Sequence, residues 1–422
     1  MIDRKQKTMV KIRKESNCYL TYFVELRRII PVNYIGAKIV DLFFNKHYDF
    51  DKITNLISSG REIISREEIL GFLREIKKEL LLPYEGGYPI IDKERLDVPI
   101  AVELQVNTRC NLRCKHCCQA DYDKTMPLKQ VKYILNVLNE KGVFEVNLTG
   151  GEFFLHPDAL EIVRLCCKKY NFATIIITNG TLLTQPLIRK LSEFKNNLVF
   201  LVSLEGVGKL NDEIRGKGVF NKVDKTIRAL KKYDFYVEIS STINNLNINH
   251  YQKLINYSKS LNVPLNFNLF KPFQKAQKFL ILNPRKYFRF VENIFKRRNL
   301  YKEDIGLTNA AIASELTNHK RRKTCRATLS GLSVDVESKM VPCPFLREIG
   351  YYNREKLPKF DKNFLKTWEN NYYFKKFRRG NLYECQACSY IFSGSVKGKD
   401  PYGIKAFLEY KRNKNKKVLL KI

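Results

Sequence analysis

Cys110, Cys114 and Cys117 stand together in the run QVNTRCNLRCKHCC, directly after an apolar stretch ending at Val106. Three thiolates at C-x3-C-x2-C spacing can hold three irons of a 4Fe–4S cluster, which ordinarily takes four cysteine ligands. The fourth iron is then open to a small molecule. Structural zinc is the competing reading, although it usually uses two C-x2-C knuckles. A second set, Cys325, Cys343, Cys385 and Cys388, is spaced C-x17-C and then, after a long gap, C-x2-C. Four thiolates can saturate one 4Fe–4S cluster, or one zinc ion.

The strand-like stretch Glu145-Val-Asn-Leu-Thr ends in Gly150-Gly151-Glu152. Two glycines let backbone come close to a ligand, and the glutamate can accept from an ammonium. The Cys triplet, with Gly-Gly-Glu one helix downstream, resembles the signature of the radical S-adenosylmethionine (SAM) enzymes. There the open iron chelates the amino and carboxylate groups of SAM's methionine. Reductive cleavage then yields a 5′-deoxyadenosyl radical that abstracts hydrogen from an unactivated carbon. The resemblance implies that Cys110, Cys114 and Cys117 ligate the catalytic cluster, with His116 near the adenine. Gly150, Gly151 and Glu152 would bind the SAM amino group. Asn179, in Thr178-Asn179-Gly180, lies at the third strand end. Ser203-Leu-Glu205-Gly206 resembles the family's Ser-x-Asp-Gly segment, so Ser203 and Glu205 would face the ribose or carboxylate region. Arg215 would pair with the SAM carboxylate, and Asn247 matches a less specific polar position. A hydrogen-atom-donor role for Cys118, as in peptide epimerases, is the lesser reading. Cys166 and Cys167, on an apolar helical stretch, read as small core residues.

The second Cys set lies in a context similar to the auxiliary-cluster domains called SPASM and twitch. The similarity covers VDVESKMVPCP (334–344), then the stretch from Gly350 through Trp368 and Phe374-Lys-Lys-Phe to Cys385. Ser338 stands where glycine is usual. Ser393-Gly394-Ser395 comes where further cysteines would begin, so the resemblance implies a single, fully ligated auxiliary 4Fe–4S cluster in a twitch-like arrangement.

These residues need a scaffold. Strand candidates at 98–107, 143–149, 173–178, 198–204, 235–242 and 264–270 alternate with amphipathic stretches such as 128–138 and 251–260. Alternation implies a parallel sheet with right-handed crossovers. Six such units resemble the partial (β/α)6 radical SAM barrel, with its site at the C-terminal strand ends. The fold class is therefore α/β.

Ahead of the barrel, residues 18–30 read as a strand pair. Asn33 caps a helix, Asp51 opens a short one stopped at Gly60, and Ser65 with Glu68 forms a capping box. Ile53, Leu56 and Ile57 share one helix face, and Ile69, Leu73 and Ile76 another. The last helix ends before Pro83. Strands followed by three helices suggest a winged helix-turn-helix. That fold can bind DNA or capture a peptide at its sheet edge. The third helix matches its Arg and Lys with Glu, which argues against phosphate contact. The segment resembles the recognition elements that grip leader peptides of ribosomally made, modified peptides (RiPPs), over about residues 18–83. Expected domains are 1–95, a leader-recognition element; 96–320, the barrel; 321–395, the auxiliary-cluster domain; and 396–422, a basic tail read as a solvated, partly frayed helix.

The formal net charge is +33, falling almost wholly after residue 100. Lys and Asn are abundant throughout, so this reads as composition bias rather than a nucleic-acid footprint. No signal-like segment opens the chain, and the longest apolar runs, such as 198–204, fall far short of the roughly 18 residues of a membrane span. A cytoplasmic protein without a membrane partner is expected, where eleven cysteines point to metal rather than disulfides. The whole layout resembles RiPP maturases, in particular thioether (sactipeptide) synthases of the sporulation-killing-factor type. It implies a precursor peptide and an electron donor such as flavodoxin or ferredoxin as partners. Peptide epimerisation and carbon–carbon crosslinking share this scaffold, and an iron–sulfur nucleic-acid modifier or regulator is the alternative from another class.

Overall fold

The computed structural model describes residues 10–24, 28–58, 64–81, 95–117, 123–273, 275–301, 305–307, 325, 327–380 and 384–419. The chain divides into two compact units, Met1–Val98 and Pro99–Ile422.

In the first unit, β1 (Val10–Lys14), β2 (Tyr19–Phe23) and β3 (Arg28–Val32) form an antiparallel sheet in that order. The sequence reading begins this sheet at residue 18; the structure adds β1. Its five residues carry three charges, and its place is held by a distant side chain. Val10 N donates to Asn45 Oδ1 at 3.1 Å, and Asn45 Nδ2 donates to Val10 O at 2.9 Å. Three helices follow. Asn33 Oδ1 accepts from Gly36 N at 2.7 Å and starts Tyr34–Val40. The next helix, Phe50–Ser58, is capped not by Asp51 but by Asp49, whose Oδ1 accepts from Lys52 N at 2.8 Å; Asp51 already lies in the first turn. Ser65 and Glu68 form the reciprocal box at the head of Arg66–Leu81. Phe23, Phe44, Ile53, Ile69, Leu73 and Ile76 share one core. Leu56, expected on the buried face, is 45% exposed. The expected stops at Gly60 and Pro83 lie outside the described residues.

The second unit is built on a sheet of nine strands among the described residues. Six are the parallel strands of the barrel: β4 (Ala101–Gln105), β5 (Glu145–Thr149), β6 (Ala173–Thr178), β7 (Leu198–Ser203), β8 (Tyr236–Ile243) and β9 (Leu265–Leu269). Helices Leu128–Glu140, Val219–Lys232 and Tyr251–Ser260 are among the crossovers. The period of two is clear in β8. Val237, Ile239 and Ile243 are fully buried on one face, while Glu238, Ser240 and Thr242 are half-buried on the other.

The sheet is wider than six strands. β10 (Ile305–Leu307) joins β9 in parallel, and β11 (Gly331–Val334) joins β4 in parallel, followed by antiparallel β12 (Met340–Val341). An open barrel leaves unpaired N–H and C=O groups on its edge strands, and β11 satisfies those of β4. The segment that bears the second Cys set thus shares the barrel's sheet. Ser338, in the β11–β12 turn, has φ 60°, which explains why glycine suits that position.

The C-terminal residues correct one expectation. They form the helix Ile404–Leu419, and the region's start is docked rather than frayed. Tyr402 and Phe407 are fully buried; the Tyr402 hydroxyl donates to Leu282 O at 2.6 Å. Tyr402 packs edge-on against Tyr287, and Phe407 against Phe288.

Candidate active site

The Cys loop leaves β4 through Asn107, which bridges to Thr125, and Thr108, whose N–H donates to Lys124 O at 2.9 Å. Lys115 N donates to Ile214 O at 2.9 Å, tying the loop to helix Lys209–Arg215. Cys117 N donates to Cys114 O at 3.0 Å and Leu112 N to Cys110 Sγ at 3.4 Å. All three triplet cysteines are half-buried. Burial raises the Cys110 thiol and pushes Cys114 up to about 11, against the pull of Arg215. A metal must therefore displace their protons on binding. Cys118 lies outside the described residues.

Gly150 and Gly151 wedge the β5 loop under this one. A Cβ on Gly150 would sit 2.6 Å from Asn107 Oδ1, and one on Gly151 2.3 Å from Arg109 O. Gly151 N and Glu152 N donate to Asn107 O and Arg109 O at 3.2 and 2.7 Å. The close approach is thus to backbone of the Cys loop itself. Glu152 is buried, and burial raises its carboxyl. It accepts from the Thr178 hydroxyl at 2.7 Å, Asn179 N at 2.7 Å and Phe154 N at 3.2 Å. Those donors leave one of about four acceptor positions open.

Asn179, beyond β6, points its amide at the loop: Nδ2 lies 3.8 Å from Cys110 Sγ and donates to Asn111 Oδ1 at 2.9 Å. Glu205, beyond β7, is the centre of a buried ionic cluster. Arg215 reaches its Oε1 with Nη2 at 2.6 Å and Nε at 3.2 Å, and turns Nη1 toward Cys114 Sγ at 3.8 Å. His116 Nε2 stands 3.3 Å from the same oxygen. Thr242 N donates to Oε2 at 2.6 Å, and Asn247 Nδ2 donates to Glu205 O at 3.0 Å. Burial works to raise the Glu205 carboxyl, but Arg215 and His116 outweigh it and hold it at about 2. His116 Nδ1 is buried without a protein partner. Ser203 is half-buried at the end of β7, paired in register with Ser240.

Sequence reasoning missed Gln277. Its Nε2 donates to Cys117 O at 2.9 Å and Lys115 O at 3.2 Å, from 160 residues away. No local pattern announces such a contact.

Cys343 and Cys388 are buried, Cys325 and Cys385 partly so. Cys325, Cys343 and Cys385 line one apolar cluster with Leu346 and Tyr352. Burial pushes Cys325 and Cys343 up to about 12. Cys385 is held low because Cys388 donates to it, with Lys271 adding its charge against the cost of burial. Among the described residues no three His, Cys, Asp or Glu side chains could hold a single metal ion. A tetranuclear cluster asks instead for one thiolate per iron. Cys166 and Cys167 are buried in the helical turn Leu165–Lys169. No helix among the described residues is long and apolar enough to cross a membrane.

The triplet loop fits an iron–sulfur cluster: three thiols share one loop, and amide and guanidinium N–H groups face two of them, as sulfur ligands require. The orphaned His116 Nδ1 beside Glu205 and Arg215 fits a polar ligand of that cluster.

Comparison with known proteins agrees. Over 151 residues the chain is 32% identical to the antilisterial bacteriocin subtilosin biosynthesis protein AlbA of Bacillus subtilis, covering 35% of this chain. The match spans about a third of AlbA's length, 34%. The AdoMet-dependent heme synthase of Methanosarcina barkeri is 24% identical over 346 residues, 73% of this chain and 97% of the synthase. The crystal structure of Streptococcus suis SuiB superposes with TM-score 0.67 at 16% identity, over 92% of this chain and 97% of SuiB. SuiB bound to precursor peptide SuiA gives 0.66, also at 16% identity, over 93% of this chain and 97% of SuiB. These likenesses show the fold. Residues 104–257 match the family model of the radical SAM superfamily, and with the Cys loop at the mouth of the parallel sheet the chain thus carries a radical SAM domain.

Proposed function

We propose that this radical SAM protein is an enzyme that modifies a ribosomally made precursor peptide, closing a thioether between a cysteine sulfur and a carbon of the peptide. The observation that carries the reading is the joining of three parts in one chain. They are the N-terminal sheet-and-three-helix unit, the radical SAM barrel, and the Cys quartet beyond it. SuiB shares this fold over 92% of the chain and has been seen with its precursor peptide. The heme synthase covers less of the chain, 73%.

When bound, a 4Fe–4S cluster and SAM supply the 5′-deoxyadenosyl radical that takes hydrogen from the peptide. The chain's own residues prepare the site. Cys110, Cys114 and Cys117 hold the cluster. Asn179 and Arg215 face two of these sulfurs with N–H groups. Glu205 locks Arg215 in one orientation, so any carboxylate that Arg215 engages shares it with Glu205. The half-buried polar row Glu238, Ser240 and Thr242 gives the barrel interior hydrogen-bonding groups for peptide backbone. The N-terminal unit takes the leader as an added strand beside its three-stranded sheet.

Thioether closure removes one hydrogen atom from carbon, and one proton and one electron from the cysteine thiol. An electron acceptor is required; Cys325, Cys343, Cys385 and Cys388 would hold an iron–sulfur cluster, and that cluster would supply the acceptor. A flavodoxin or ferredoxin delivers the electron that starts the cycle.

The test is anaerobic. Protein reconstituted with iron and sulfide, given SAM and dithionite, should form 5′-deoxyadenosine. The Cys110→Ala, Cys114→Ala, Cys117→Ala variant should not. A short Cys-containing peptide encoded beside the gene should then lose two hydrogens and one alkylatable thiol. Deuterium uptake from solvent without mass loss would mean epimerisation. Loss of two hydrogens with the thiol intact would mean a carbon–carbon crosslink. Product formation from a tetrapyrrole but from no peptide would sink the reading.

A further inference from the structure

The chain beyond β9 touches both cysteine sites. At its start, partly buried Lys271 places Nζ 4.3 Å from the centre of the Phe345 ring, two residues past Cys343. Phe273 stacks on the same Phe345 ring, the two centroids 5.4 Å apart and the planes 21° from parallel. Phe273 N donates to Gln277 Oε1 at 3.0 Å. The same Gln277 amide donates to the carbonyls of Cys117 and Lys115. One short stretch is therefore clamped to the triplet loop at one end and laid against the quartet at the other.

We propose that Lys271 is a positioning residue for the second site: its fixed positive charge sets the reduction potential of a cluster held by Cys325, Cys343, Cys385 and Cys388. The inference rests on the reading that the quartet holds such a cluster. Four thiolates and a sulfide core bring net negative charge into a buried, low-dielectric pocket, where a nearby cation acts strongly. Lys271 is electrostatically engaged with Cys385, Cys388 and Cys343, and burial alone would oppose its charge. Asp400 adjoins the same cysteines, its Oδ2 accepting from Cys385 N at 3.3 Å. Burial and the neighbouring Cys385 raise its carboxyl, so the lysine offsets only the fraction that is ionised. A cation beside a cluster favours the reduced form. Lys271 thus keeps the acceptor able to take the substrate electron, and the Phe273–Gln277 clamp fixes that charge in register with the triplet loop.

The experiment isolates the quartet by placing every variant in the Cys110→Ala, Cys114→Ala, Cys117→Ala background of the full chain. Iron and sulfide are counted, and the cluster is titrated with dithionite under electron paramagnetic resonance. Lys271→Gln should shift the midpoint to lower potential, and Lys271→Arg should stay near the parent. If Lys271→Gln fails to load iron while Lys271→Arg loads it, the charge serves assembly rather than potential, and the inference falls. If both load and titrate like the parent, it falls. A parent background that takes up no cluster at all would overturn the underlying reading itself, a result distinct from an unshifted potential.

Discussion

Arg215 grips Glu205 with two of its nitrogens and turns the third toward Cys114. A carboxylate from one strand end and a guanidinium from the next helix are thus joined before any ligand arrives, and both are nearly fully buried. Removing one partner of such a pair leaves an uncompensated charge, which costs about 3–5 kcal/mol. Glu205→Gln should therefore lower thermal stability sharply and loosen the triplet loop, read as a loss of triplet iron. Arg215→Lys cannot span both contacts. It should keep the fold better than Arg215→Ala while raising the KM for SAM.

The same pair predicts a pH response. The folded Glu205 carboxyl lies at about 2, below its usual 4.5. A depressed carboxyl contributes stability that is present above the usual value and lost as pH falls toward the folded one. Its contribution is roughly 3 kcal/mol at neutral pH. The difference between parent and Glu205→Gln in denaturant melts should be constant above pH 5 and shrink between 4.5 and 2.

Gly151 leaves no room for a side chain, since a Cβ would meet Arg109 O at 2.3 Å and Thr108 O at 2.4 Å. Both are backbone, so no rotamer change relieves the clash. Gly151→Ala should displace the Cys loop and abolish iron uptake by the triplet while leaving the quartet's uptake near normal. Uptake by the triplet at wild-type level would show that the two loops separate freely.

Much of this was legible beforehand, and the exceptions have physical causes. The run ATIIIT reads as a strand at 173–178, and β6 occupies those residues, because β-branched residues suit a strand buried on both faces. The capping box at Ser65 is a local pattern and appears where expected. β1 and the docked tail were hidden by their charges. In the tail, Tyr402, Ile404 and Phe407 lie among lysines, and only the partner helix Pro284–Tyr301 reveals their use. Gln277 and Lys271 owe their roles to contacts across large sequence separations, which no spacing rule encodes. The two glycines were legible as a site of close approach, but what approaches is the Cys loop backbone.

Gln277 offers a sharper test of the clamp. Its amide is the link between the Phe273 backbone and the carbonyl of Cys117. Gln277→Ala removes all three hydrogen bonds, to Phe273 N, Cys117 O and Lys115 O, at about 1–3 kcal/mol for each group where water cannot replace the partner. Iron content should survive, because no ligand is lost. The rate of 5′-deoxyadenosine formation should drop and the SAM-dependent change in the cluster's paramagnetic spectrum should broaden. Gln277→Glu keeps the acceptor for Phe273 N but not the donor to Cys117, so it should restore the first contact alone.

Iron stoichiometry separates the two cysteine sites directly. With a cluster at each, reconstituted protein should carry roughly eight irons per chain, and either the triplet variant or a Cys385→Ala, Cys388→Ala variant roughly four. Zinc in the quartet would instead leave about four irons in the parent, and the triplet variant would be colourless and retain about one zinc per chain. The triplet's open iron should also make it the more easily stripped. Mild chelation with an oxidant should remove its absorbance first, and SAM should slow that loss, since a ligand that binds only the loaded state stabilises it by mass action. Equal loss of both clusters, with no protection by SAM, would mean that no iron in the triplet is open.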